Sequence, residues 1–146
     1  MDENNRIVKL VNEGMQMEKV DKFDRAQELY TQAWNESSND WEKCIAAHFV
    51  PRNITDLQEK LNWNLVAVNL ANKVNNDEVK GYYPSLYVNV GLCYEKLLNY
   101  SEAKNYYNLA SDKISDLPVN HESEKYNEGI KQTIRESISR LEEKIK

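Results

Sequence analysis

Seven positions of matching character recur in this chain at one fixed spacing, and that recurrence limits what it can fold into more than any other feature. Leu10 corresponds to Tyr87, Gly14 to Gly91, Met17 to Tyr94, Phe23 to Tyr100, Ala26 to Ala103, Tyr30 to Tyr107 and Ala33 to Ala110, every pair 77 apart (103 − 26 = 77). A constant offset held over seven positions is an internal repeat. The clearer copy runs from Pro84 to Pro118. Tyr87, Val90, Gly91 and Tyr94 fall at helical spacing, Ala103, Tyr107 and Ala110 do so again, and Asn99-Tyr100-Ser101 separates them as a turn. Ser101 is expected to cap the second helix. Small residues at Gly91, Ala103 and Ala110 allow close backbone approach, with Tyr94 and Tyr107 filling the space beside them, so each copy predicts a tight antiparallel helical hairpin.

Between the copies the spacing leaves room for one irregular hairpin. Asn39-Asp40-Trp41-Glu42 reads as a capped helix start, and Trp41, Cys44, Ile45, Ala47, His48 and Phe49 form a short helix that is apolar on most sides and stops at Pro51. Thr55-Asp56-Leu57-Gln58 fits a capping box with threonine at the cap, opening a helix to about Val74 with two stripes, Leu57-Leu61-Leu65-Val68 and Trp63-Val66-Leu70-Val74. Two stripes require neighbours on two sides. A last helix carries the narrow stripe Tyr126, Ile130, Ile134, Ile138, Leu141 and Ile145, which requires one neighbour and suits a cap.

The order Leu/Tyr, Gly, Met/Tyr, Ala, Tyr, Ala over about 34 residues resembles the tetratricopeptide repeat. The departures are Glu13 at an apolar position and Ser38 and Ser115 where a proline usually closes the repeat. The resemblance implies an all-α fold, a right-handed α-α superhelix of three helical hairpins (about 6–38, 39–75 and 83–117) with a C-terminal capping helix (about 121–146), making one domain over 1–146. It also implies a binding surface on the inner face of each repeat's first helix. In this sequence that surface comprises Val8, Val11, Asn12, Met15, Glu18 and Lys19 in the first copy, and Ser85, Val88, Asn89, Leu92, Glu95 and Lys96 in the last. Trp41, Cys44, Ile45, His48 and Arg52 are the middle copy's candidates, on a register the spacing leaves open. Family members that grip a chaperone's C-terminal carboxylate carry lysine and arginine where this chain has Val11, Val88 and Asn89, so the resemblance implies no such clamp.

Composition narrows the function classes. With 40% hydrophobic and 29% charged residues, four Gly, three Pro and a mean hydropathy of −0.79, the chain reads as helical and soluble. A net charge of −5 and a pI near 5.2 disfavour broad contact with nucleic acid or anionic membranes. No apolar run approaches the roughly 18 residues a membrane helix needs, and Met1-Asp2-Glu3-Asn4-Asn5 is no secretory signal, so a cytoplasmic location is expected. Cys44 and Cys93 lie too far apart for a zinc site and read as buried thiols.

Enzymatic signatures are absent: no GxGxxG, no P-loop, no HExxH, no G-x-S-x-G. No cofactor, metal or catalytic residue is expected. His48 and Arg52, four apart, are candidates for holding a carboxylate or phosphate, while Tyr82, Tyr83 and Trp41 at helix starts are candidates for facing a ligand. His121 reads as surface. The function expected is a non-catalytic module that binds a protein or peptide segment in its groove, as monomer or homodimer, with an RNA-associated factor and a small enzyme with an unrecognised site as the rival classes.

Overall fold

The computed structural model describes residues 3–115 and 121–145, side chains included except at 77, 121–124 and 126. Among these residues the fold is all-α with no strand, and they divide into two compact units, Met1–Val74 and Asn75–Lys146. The expectations for His121, Tyr126, Pro118 and the ends at 117 and 146 lie outside the described residues or side chains.

Unit 1 opens with a hairpin, α1 (Arg6–Lys19) and α2 (Phe23–Glu36). Asn5 caps α1 by accepting hydrogen bonds from the Ile7 and Val8 amides at 2.8 and 3.2 Å, occupying donors that no helical carbonyl can reach. Next come α3 (Asp40–Phe49), capped by Asn39, a 3-10 turn (Val50–Asn53) around Pro51, and α4 (Leu57–Val74). The α4 cap is Asp56, whose carboxylate accepts from the Glu59 amide at 2.8 Å; the box centred on Thr55 is thus displaced by one residue, because the carboxylate reaches the third amide of the helix. Leu61 and Val68 of the first expected stripe of α4 and Leu70 of the second are buried, and the other stripe members are half-buried. Asn64, Ala67 and Ala71, which neither stripe includes, are buried as well, and small side chains there let α3 lie close, with the Cys44 thiol donating to the Ala67 carbonyl at 3.6 Å. Trp34 of α2 meets Trp63 of α4 edge-on at 5.0 Å.

Unit 2 comprises a short helix α5 (Asp77–Lys80) that the sequence did not signal, the hairpin α6 (Tyr83–Lys96) and α7 (Tyr100–Ile114), and a long α8 (His121–Ile145). Asn76 caps α5 through the Val79 amide. Asn99, not Ser101, caps α7 by accepting from the Glu102 amide at 3.3 Å, so Tyr100 begins the helix instead of sitting in the turn. Leu141 of α8 joins Ala103 and Tyr107 in a cluster against which Leu92, Tyr94, Tyr100 and Ile138 also pack.

The hairpins α1–α2 and α6–α7 are built alike to the level of single hydrogen bonds. In the first turn the Asp21 amide donates to the Glu18 carbonyl and the Lys22 amide to the Met17 carbonyl; in the second Leu98 donates to Glu95 and Asn99 to Tyr94. This pair of bonds closes a helix when the residue between them turns left-handed, and Asp21 (φ 60°) and Leu98 (φ 66°) both do. Ala26 and Ala103 are fully buried where the helices cross. A Cβ added at Gly14 would clash with the Tyr30 ring, and one at Gly91 with the Tyr107 ring, so each glycine leaves the room that a buried tyrosine of the second helix fills.

Candidate functional site

Two carboxylates, Glu95 buried and Glu18 half-buried, stand at the ends of the first helices. Glu18 ends α1 and accepts from the Tyr30 hydroxyl at 2.7 Å; Glu95 ends α6 and accepts from the Tyr107 hydroxyl at 2.7 Å. Both tyrosines are fully buried, so each hydroxyl needs a partner inside the protein, and the carboxylate supplies it. A buried carboxylate in turn requires a cation.

The two units supply that cation differently. In unit 1 the Arg52 guanidinium donates through Nε and Nη2 to Glu18 at 2.9 to 3.1 Å, and the Asn53 amide adds a bond at 3.3 Å. Arg52 also lies 5.9 Å from the Phe49 ring centroid. In unit 2 two cations from α8 converge on Glu95: Arg140 through Nε at 2.7 Å and Nη2 at 2.8 Å, and Lys144 through Nζ at 2.8 Å, with Lys144 also 5.8 Å from the Tyr100 ring centroid. Hydrogen bonds from Arg140 outweigh burial and hold the Glu95 carboxyl down at about 2. Burial pushes Glu18 up, but the bonds from Arg52, Tyr30 and Asn53 together hold it below the usual carboxylate range. Burial and the adjacent carboxylate raise both tyrosines well above their ordinary value.

These contacts redistribute the expected site residues. Arg52 is engaged by Glu18, so the anion seat expected between His48 and Arg52 is not assembled. Burial, reinforced by the Arg52 charge, pushes His48 down to about 4; it is neutral near pH 7, its Nδ1 buried without a hydrogen-bond partner and its ring edge-on to Phe49. Val8, Val11 and Val88 are buried within their own units and offer no surface to a ligand. Tyr83 is likewise buried, stacked on Tyr87 at 5.7 Å. Trp41 is half-buried against the unit 1 core, and Ser85 is half-buried on α6. Cys44 and Cys93 are buried free thiols, the former pushed up to about 12 by desolvation.

Asn12, Met15, Asn89 and Leu92 are half-buried. Asn12 and Met15 stand on α1 where Asn89 and Leu92 stand on α6 (89 − 12 = 77 and 92 − 15 = 77). Neither asparagine amide has a hydrogen-bond partner among the described residues.

No family model matches the chain, and neither a curated protein nor a solved structure matches it. The site therefore stands on its own geometry. Among the described residues no three His, Cys, Asp or Glu side chains are grouped to hold a metal ion, and no helix is long and apolar enough to cross a membrane. A shallow open depression lies along α2, lined in part by Asp24, Gln27, Glu28, Thr31 and Asn35, none of which belongs to the expected surface.

Glu18 and Glu95 were placed by the family resemblance on the ligand-facing surface, whereas the structure gives them an internal role. A signal for that role was available. They are identical residues at the same 77-residue offset, each four beyond a glycine and twelve before a tyrosine, which is the geometry of a carboxylate reaching across a hairpin.

Proposed function

We propose that this chain is a non-catalytic protein-interaction module, a tetratricopeptide-like right-handed solenoid whose first helices receive a segment of a partner protein. One observation carries the reading: α1 and α6 present the same pair, an asparagine amide without a hydrogen-bond partner among the described residues, followed three residues later by a half-buried apolar side chain, Asn12 with Met15 and Asn89 with Leu92. A carboxamide offers both a donor and an acceptor, which matches the alternating groups of a peptide backbone, and the adjacent Met or Leu gives an apolar contact for a side chain. Leaving such an amide dry and unpaired on binding would cost about 1–3 kcal/mol, so a ligand covering it has to hydrogen-bond it. Arg52, held by Glu18, contributes no preference for acidic segments in this reading.

The test compares the parent with the double variant Asn12→Ala/Asn89→Ala against a partner recovered on the parent. The double variant is expected to unfold at the parent's denaturant midpoint and to bind at least about tenfold more weakly, about 1.4 kcal/mol. Undiminished affinity in a folded double variant overturns the assignment.

A further inference from the structure

We propose that α8 is a releasable cover over the Glu95 end of α6, and that a partner segment engaging Leu92 has to displace it. This rests on the partner-binding reading above and adds a built-in competitor to it. The same carboxylate socket occurs in both units, but its occupants are anchored very differently. In unit 1 the socket is filled by Arg52 from the 3-10 turn after α3. Over the fourteen residues 40–53 that stretch buries Cys44, Ile45, Ala46, Ala47, Val50 and Pro51, and Gln27 of α2 donates to the Val50 carbonyl at 2.9 Å. The backbone that carries Arg52 therefore cannot move away from Glu18 without opening the core of unit 1, although the Arg52 side chain is itself 48% exposed.

In unit 2 the socket is filled from a helix of 25 residues, of which Ile134, Ser137 and Leu141 are the described side chains that are buried. Arg140 and Lys144 remain 43% and 40% exposed at the side chain although Glu95 beneath them is 5% exposed. They occupy one edge of α8, four residues apart, with Leu141 between them entering the Ala103–Tyr107 cluster beside Leu92. Among its described side chains α8 is thus held by a single apolar seam, the buried Ile134 and Leu141 with the half-buried Ile138, and by two half-solvated cations. If it lifts, water replaces those cations around Glu95, and the Tyr107 hydroxyl remains as a donor from the hairpin itself. Regions with few buried apolar contacts open locally at lower free energy than the core, and α8 meets that description while α3 does not. The occupant that this surface selects is an amphipathic helix with two basic residues four apart and an apolar residue beside the first. α8 supplies it within the chain.

Two measurements on the full chain test the proposal. In hydrogen exchange of the parent, α8 amides are expected to exchange at least about tenfold faster than those of α6 and α7, and faster again in Arg140→Glu/Lys144→Glu, with α6 and α7 unchanged. A fluorescently labelled peptide of residues 125–146 is expected to bind the double variant, whose own α8 is released, and to bind the parent at least about tenfold more weakly, while a peptide carrying both Glu substitutions binds neither. The proposal is overturned if α8 in the parent exchanges only as slowly as α6 and α7, or if the peptide binds both proteins equally or neither. The partner-binding reading fails separately, through Asn12→Ala/Asn89→Ala, with α8 exchange and peptide binding unaltered.

Discussion

The hairpins α1–α2 and α6–α7 share a left-handed turn, a glycine under a tyrosine ring and a tyrosine hydroxyl on a carboxylate, yet Glu18 is neutralised by one half-exposed arginine on the turn after α3, whose Val50 and Pro51 are buried, and Glu95 by two half-exposed cations on α8. The difference shows which parts of the design a hairpin fixes for itself. Tyrosine, glycine and glutamate lie within one hairpin and are set by its crossing geometry. The cation has to come from whatever element follows, and its anchoring decides how firmly that element is held. A buried acid in a helical hairpin is therefore a demand placed on the next element of the chain.

That comparison can be broken most directly at the tyrosines. Tyr30→Ala and Tyr107→Ala each remove a fully buried ring and leave a glycine-lined void, so each is expected to cost about 3–5 kcal/mol, read as a shift in urea midpoint. The tryptophans Trp34, Trp41 and Trp63 all belong to unit 1, whereas unit 2 has eight of the nine tyrosines and no tryptophan, so tryptophan fluorescence reports unit 1 and near-ultraviolet tyrosine dichroism, to which unit 1 adds only Tyr30, reports mainly unit 2. A loss confined to one unit for Tyr30 and absent for Tyr107 would show that the hairpins are not energetically alike.

Acid should separate the units next. His48 is held at about 4, below its ordinary value of 6.5, so the unfolded chain takes that proton first and unit 1 loses stability as pH falls from about 6.5 to about 4. Glu95 is held at about 2, below 4.5, so its contribution to unit 2 is complete above about 4.5 and is lost as pH falls towards 2. Urea midpoints followed by tryptophan fluorescence should fall already at pH 5.5, while those followed by tyrosine dichroism hold until below 4.5. Parallel decline of both probes from pH 6.5 would remove His48 from the account.

The cations sharpen the comparison further. Arg52→Ala leaves Glu18 with Tyr30 and Asn53 as donors and no cation among the contacts described; because Arg52 is itself 48% exposed, the expected cost in unit 1 is about 1 kcal/mol. Arg140→Ala leaves Lys144 on Glu95, and because both cations are well exposed the expected cost is below about 1 kcal/mol. The smallest difference concerns the turns. Asp21 adopts the left-handed conformation with a short polar side chain, whereas Leu98 does so with a branched apolar one that is 73% exposed. Leu98→Asn should therefore raise the unit 2 midpoint by up to about 1 kcal/mol, and no gain would mean the turn carries no strain.

Part of this architecture is legible in the sequence. The 77-residue offset locates both hairpins; Ala26 and Ala103, expected at the crossings, and Tyr107, expected to fill the space beside them, are fully buried, whereas Tyr94, expected to fill with it, is half-buried. The caps were misread by one or two residues at Asp56 and Asn99, because serine, threonine, asparagine and aspartate near a helix start are near-equivalent candidates until the backbone selects one. The expected surface was legible only in part. Asn12, Met15, Asn89 and Leu92 keep exposure, whereas Val8, Val11 and Val88 are covered by their own units, a fact that helical periodicity on a single helix does not contain.

By itself the sequence determined the helices other than α5, the two matched hairpins and the small residues at their crossings, because these depend on spacing along a few turns of chain. Only the tertiary structure decided that Glu18 takes Arg52, that Glu95 takes Arg140 and Lys144, and that His48 stands neutral without a partner for Nδ1. Those outcomes follow from pairings 34 to 49 residues apart in the chain. At that separation any of several arginines and lysines satisfies the charge, and the element that happens to be brought within hydrogen-bonding distance makes the choice.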